Sequence, residues 1–271
     1  MLYILPFDHR GSFMKLIKAS APPTKKDIQT AKNYKYLIYQ AFQKSLAQVP
    51  KKHAAILVDE WLGKEILQDA KKRKIIICNT FEKSGQTEFQ FERKDYHKQL
   101  QEIKPDYAKL LIRYDPKNKK INLQQTKKLS SFSNFLQKNK TNFLLEIITP
   151  HQKPKTILTA VKQLQKAGVK PDIWKLEGIN KSTDMKKISQ QVNSQIVILG
   201  RGGNRKKVSH WLRIAAQFNN VIGFAIGRTI FAQPLKDYHH KKITKLQTIN
   251  QISKNYIYFV NLFEKLKRPN P

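Results

Sequence analysis

Eight short apolar runs recur along the 271-residue chain, each ending in polar or charged residues and each followed by a stretch with helical spacing. They cover residues 3–8, 54–60, 74–82, 108–115, 143–149, 173–178, 196–202 and 221–228. Their near-continuous Ile, Leu and Val content is what a parallel strand needs when helices cover both of its faces. The stretches 27–49, 121–138, 154–167 and 207–217 between them carry the helical pattern, with Pro154 suited to a first turn and Gly168 to a C-terminal cap. A last helix near 244–266 would close over the first strand. Strand alternating with helix eight times predicts an α/β fold, a single (β/α)₈ barrel spanning residues 1–271. Two features strain this reading. Pro6 removes a ladder donor from the first strand, and the first crossover carries a long loop from His9 to about Lys26. We expect that loop at the rim of the site.

Composition narrows the setting. No run of about 18 apolar residues exists, so no membrane-spanning helix is expected. The chain reads directly into a strand, without the basic start of a secretory signal, and its single cysteine, Cys78, suits a reducing compartment. A cytoplasmic protein is the expectation. The formal charge of +33 is the footprint of a nucleic-acid binder, yet 43 of the 52 basic residues are Lys, spread over nearly every helix and loop. That dispersal predicts weak, salt-sensitive, sequence-independent nucleic-acid binding at most. A homo-oligomer is compatible with the sequence.

The informative residues are charges that a core strand should not contain. Alternation places Lys109, Leu111, Arg113 and Asp115 on one face of the fourth strand. In the fifth, Glu146 lies among five apolar neighbours; in the sixth, Lys175 and Glu177 oppose Trp174 and Leu176. Bulky Trp and Leu belong against the outer helices, so Lys175 and the carboxylates Glu146 and Glu177 should point into the lumen. A buried charge persists only when paired, hydrated or functional. A lysine in a partly dry pocket beside a second cation loses basicity and becomes a nucleophilic amine near neutral pH. Lys109 is the expected second cation, and Glu146 the expected proton carrier. These three parts are the equipment of a metal-independent aldolase.

The last two strands end in Gly200-Arg201-Gly202-Gly203 and Gly227-Arg228. Glycine lets backbone N–H groups approach a phosphate and Arg adds a bidentate charge, at the position where this barrel often binds phosphate. Arg201, Gly202, Gly203, Gly227 and Arg228 are the expected phosphate site. The seven histidines include no pair at helical i, i+4 spacing, so no metal site and no cofactor are expected. His9 reads as a polar rim residue.

Several strings resemble the class I aldolase domain associated with inositol catabolism, of the 5-dehydro-2-deoxy-phosphogluconate aldolase type. They include Pro6-Phe7-Asp8-His9-Arg10, Leu57-Val58-Asp59-Glu60, Glu82-Lys83-Ser84-Gly85 and Trp174-Lys175-Leu176-Glu177-Gly178. Gly223-Phe224-Ala225-Ile226-Gly227-Arg228-Thr229 completes a resemblance that runs from about Leu2 to Leu235. More distantly the pattern is similar to bacterial class I tagatose-bisphosphate aldolases. The resemblance implies a Schiff-base lysine at Lys175, a carboxylate at Glu146 and a lysine at Lys109. The substrate expected is a phosphorylated keto-sugar acid or ketose, cleaved to release dihydroxyacetone phosphate. Asp8, Arg10, Asp59, Glu82, Lys83, Arg113 and Glu177 are the candidates for its hydroxyls or distal anion. The alternative is a non-catalytic barrel that binds a sugar phosphate or nucleic acid.

Overall fold

The computed structural model describes residues 1–267; residues 268–271 of the expected 1–271 barrel lie outside the described residues. Eight strands close into one parallel barrel in sequence order. They are β1 (Leu2–Pro6), β2 (Ala54–Val58), β3 (Ile76–Thr80), β4 (Tyr107–Arg113), β5 (Asn142–Ile148), β6 (Ile173–Glu177), β7 (Gln195–Leu199) and β8 (Val221–Ala225). The ring of helices comprises α1 (Gly11–Leu16), α2 (Lys25–Ser45), α3 (Glu60–Lys72), α4 (Tyr96–Ile103) and α5 (Lys119–Lys138). It continues with α6 (Pro154–Lys166), α7 (Ser182–Gln191), α8 (Arg205–Ala215), α9 (Arg228–His239) and α10 (Lys245–Lys267). No helix among the described residues is long and apolar enough to cross a membrane.

Side-chain alternation sorts the core into two layers. Leu2, Ile4, Ala55, Leu57, Cys78, Leu144, Ile173, Val197 and Ala225 fill the lower lumen. Their strand neighbours, Tyr3, Leu5, Trp174 and Leu176 among them, pack outward against the helices. Closure of the ring depends on Gly223, paired with Leu2 across the β1–β8 seam. A Cβ there would lie 1.8 Å from the Leu2 carbonyl oxygen, so no other residue fits without opening the seam.

The two strained features resolve locally. Pro6 is the last residue of β1, and Phe7 resumes the ladder by donating to the Leu57 carbonyl at 2.9 Å. The first crossover is not slack: α1 folds within it and buries Phe13, Met14 and, just beyond, Ile17 in the core. Thr24 then starts α2 with a capping box, its hydroxyl accepting from Asp27 N while Asp27 accepts from Thr24 N. Pro154 opens α6 and Gly168, at φ +78°, follows it, as the sequence indicated.

Candidate active site

A cavity of about 550 Å³ opens at the C-terminal mouth of the barrel. Its floor is a charged cluster held by five different strands or strand ends. Lys109 on β4 is 1% exposed and donates to Asp8 Oδ2 at 2.8 Å and Glu82 Oε1 at 2.7 Å; its Nζ also lies 3.2 Å from Glu146 Oε2. Lys175 on β6 donates to that same Glu146 oxygen at 2.7 Å. Two ammonium groups therefore converge on one carboxylate oxygen. An ammonium has three N–H donors, and Lys109 faces three carboxylates.

This geometry adds partners to the cation expected at Lys109. It is a fixed cation, but one engaged by Asp8, Glu82 and Glu146. Burial alone would weaken its hold on the proton; those three charges instead raise its pKa well above the ordinary lysine value. The carboxyls divide in turn. Burial pushes Asp8 and Glu146 up, but Lys109 and Lys175 overcome this and hold both below the usual carboxylate range. For Glu82 burial wins: Lys109 offsets it only in part, and its pKa lies above the ordinary value.

Above the floor the lining turns cationic. Lys15, Lys83, Arg113 and Arg228 all reach the cavity, all are exposed, and none has an acidic partner within 4 Å among the described residues. Arg228 is the first residue of α9, and its guanidinium lies over Gly202, whose φ of +72° is a conformation glycine adopts without strain. Gly202, Gly227 and Arg228 thus meet on the β7–β8 side as the sequence indicated, with Arg201 also lining the cavity.

Three expected site residues do not line the cavity. Asp59 is buried in an ion pair with Lys35 of α2 and caps α3 by accepting from Leu62 N at 2.9 Å, so both its oxygens are committed to structure. Glu177 accepts from the Thr149 hydroxyl at 2.9 Å and from Arg201, partners on the loops after β5 and β7. Gly203 spends its N–H on Gly200 O at 2.8 Å and its carbonyl on the Thr229 hydroxyl at 2.7 Å, building the turn rather than facing a ligand. Arg10 lines the cavity but its guanidinium donates to the Glu82 carbonyl at 2.6 Å and pairs with Glu92, so it braces the loop after β3.

Sequence reasoning set aside His9, and the structure places it in the cavity wall. Its Nδ1 is buried 3.9 Å from Asp8 without a hydrogen-bond partner among the described residues, and its ring packs against Phe231. Burial, only partly opposed by Asp8 and aided by Arg228 and Lys175, lowers its pKa to about 4, so the imidazole is neutral at neutral pH. Ser12, Ser84 and Gln86 were also missed; all three sit on loops whose positions strand periodicity does not fix. No group of three or more His, Cys, Asp or Glu side chains among the described residues is arranged to hold a metal ion.

Fold and site together define a (β/α)₈ barrel with a buried amine–carboxylate floor under a cationic mouth. Over residues 1–267 the chain matches the family described as "Uncharacterized protein conserved in bacteria (DUF2090)", and it belongs to that family. No curated protein matches the chain. Among solved structures it is similar to Cgl0159 from Corynebacterium glutamicum, with a TM-score of 0.62 and 14% identity, covering 95% of this chain and 85% of that one. At that identity the similarity speaks for the fold.

Proposed function

We propose that the protein is a class I aldolase acting on a phosphorylated ketose or keto-sugar acid of the 2-deoxy-5-keto-gluconate 6-phosphate kind, with dihydroxyacetone phosphate as one product. The observation that carries this reading is Lys175: a lumenal amine, 4% exposed, whose only charged contact within 4 Å among the described residues is the carboxylate of Glu146. Parity on β6 puts the amine in the lumen beside Glu146, where an apolar pair would serve stability as well, so a charged pair there fits a chemical role. Lys175 attacks the ketone, and the resulting iminium accepts the electron pair released when the C–C bond breaks. Glu146, one hydrogen bond from the amine, carries protons during formation and loss of the carbinolamine. Lys109 holds Glu146, Asp8 and Glu82 in place around it.

The phosphate docks where Gly202, Gly227 and Arg228 meet, and Arg113 and Lys83 face it from β4 and the β3 end across the mouth. Arg228→Ala removes a charge-assisted contact present in both ground and transition states. It is expected to raise KM by about 10–100-fold with a smaller change in kcat. Steady-state kinetics check this, and an unchanged KM would move the phosphate elsewhere. The reading as a whole is tested by sodium borohydride with dihydroxyacetone phosphate, which should inactivate the protein irreversibly while chelators leave activity unchanged. Chelator-sensitive activity without any borohydride effect would contradict it.

A further inference from the structure

Among the carboxyl groups at the barrel mouth, Glu82 alone has a buried oxygen that the described residues leave unpartnered. Its Oε1 accepts from Lys109 at 2.7 Å, while Oε2 has no hydrogen-bond partner, although the side chain is only 8% exposed and lines the cavity. The position is rigid. Glu82 bridges to Phe91, its carbonyl accepts from Arg10, and Lys83 N donates to Gln90 O at 2.8 Å. It stands just past β3, three strands round the barrel from β6, and so faces Lys175 across the cavity with Lys109 and Glu146 between. A ligand anchored on Lys175 and extending across the cavity would bring its further carbons toward this carboxyl.

Resting on the Schiff-base reading, we propose that Glu82 is a further catalytic residue: its Oε2 carries the proton of the carbon–carbon step. With the ketone held as an iminium, Glu82 takes the proton from the hydroxyl on the carbon β to the iminium carbon. That O–H bond breaks, Oε2–H forms, the hydroxyl becomes a carbonyl as the α–β carbon bond breaks, and the released pair enters the iminium to give an enamine. After the aldehyde leaves, Glu82 returns the proton to the α carbon and restores the iminium. One proton passes from oxygen to carbon and no co-reactant is needed. Asp8 is the competitor, but Lys109 and Lys175 hold it ionised and weaken it as a base. The charges facing Glu82 are Lys109 from β4 and Asp8 and Arg10 from the segment after β1; burial outweighs their sum and strengthens the base.

Three readouts on Glu82→Gln and Glu82→Asp separate this role from a structural one. These are borohydride trapping of dihydroxyacetone phosphate, exchange of its α hydrogens in D₂O followed by NMR, and cleavage of a ketose phosphate that the wild type accepts. Glu82→Gln should trap like the wild type, because imine formation does not use Glu82, while exchange and cleavage both fall by about 10²–10⁴-fold. The wild-type exchange rate should rise with pH through a carboxyl titrating above its ordinary range, and Glu82→Gln should lose that limb. Glu82→Asp should keep trapping and part of the exchange, and it carries the test if the Gln variant does not fold. Exchange at the wild-type rate in Glu82→Gln overturns the proposal. So does loss of trapping in folded variants, which would make Glu82 a mere support for Lys109. A wild type that never traps removes the Schiff-base reading itself, and the proposal falls with it.

Discussion

Lys175→Arg should remove turnover altogether, by about 10⁴-fold or more, while leaving the melting temperature within a few degrees of the wild type. The substitution keeps a cation beside Glu146, so the ion pair that fixes the β5–β6 register side chains survives. It removes the one property the mechanism needs, an amine able to lose protons and bond to carbon. A binding protein that holds a sugar phosphate by charge would behave differently: Arg at this position would leave ligand affinity nearly intact and no activity would be lost, because none was present. Measuring ligand affinity and turnover on the same variant distinguishes the two. Activity retained by Lys175→Arg would mean that the nucleophile sits on another strand.

The second large effect is on stability. Lys35 and Asp59 form an ion pair with both side chains at most 1% exposed, joining α2 to the top of β2, and the Lys35 ammonium lies 5.5 Å from the Phe13 ring of α1. Burial lowers the Lys35 pKa, and the Asp59 charge opposes this. Removing one partner leaves an uncompensated buried charge, at a cost of about 3–5 kcal/mol. Asp59→Asn keeps the cap on α3 but strands the Lys35 charge, and it should lower the melting temperature by roughly 10 °C. Adding Lys35→Met to that variant removes the stranded charge and should recover most of the loss, because an apolar side chain of similar length suits a site beside Phe13. Thermal unfolding of the two single variants and the double variant measures this. Equal and additive losses would show that the pair is not coupled. Because α1 supplies Gly11, Ser12 and Lys15 to the cavity wall, the single variants should also weaken substrate binding.

Strand periodicity made the floor of the site legible. A period of two fixes parity absolutely, so Lys109, Glu146 and Lys175 had to share the lumen with Leu144 and Ile173 once Trp174 was assigned outward. The same parity misled at strand ends, where the ladder stops governing direction. Asp59 just follows β2 and Glu177 ends β6, and each turns to partners that sequence spacing cannot reveal, Lys35 from 24 residues earlier and Thr149 from 28. The partners of Lys109 stayed hidden for a related reason: its charge was visible, but the convergence of Asp8 and Glu82 on it depends on loops after β1 and β3. The buried face of α1 was present as Phe13, Met14 and Ile17, a helical spacing too short to stand out beside Pro22-Pro23. His9 was set aside because its environment comes from Phe231, more than two hundred residues away.

On the proposed function, Lys175 bonds covalently to a phosphorylated ketone. Peptide mass mapping after borohydride reduction in the presence of dihydroxyacetone phosphate tests it most directly. One reduced three-carbon phosphate adduct per chain is expected, carried on the peptide containing Trp174-Lys175-Leu176 and absent from Lys175→Arg. An adduct mapped to Lys83 or Lys109, or no adduct across a panel of ketose phosphates, would contradict it.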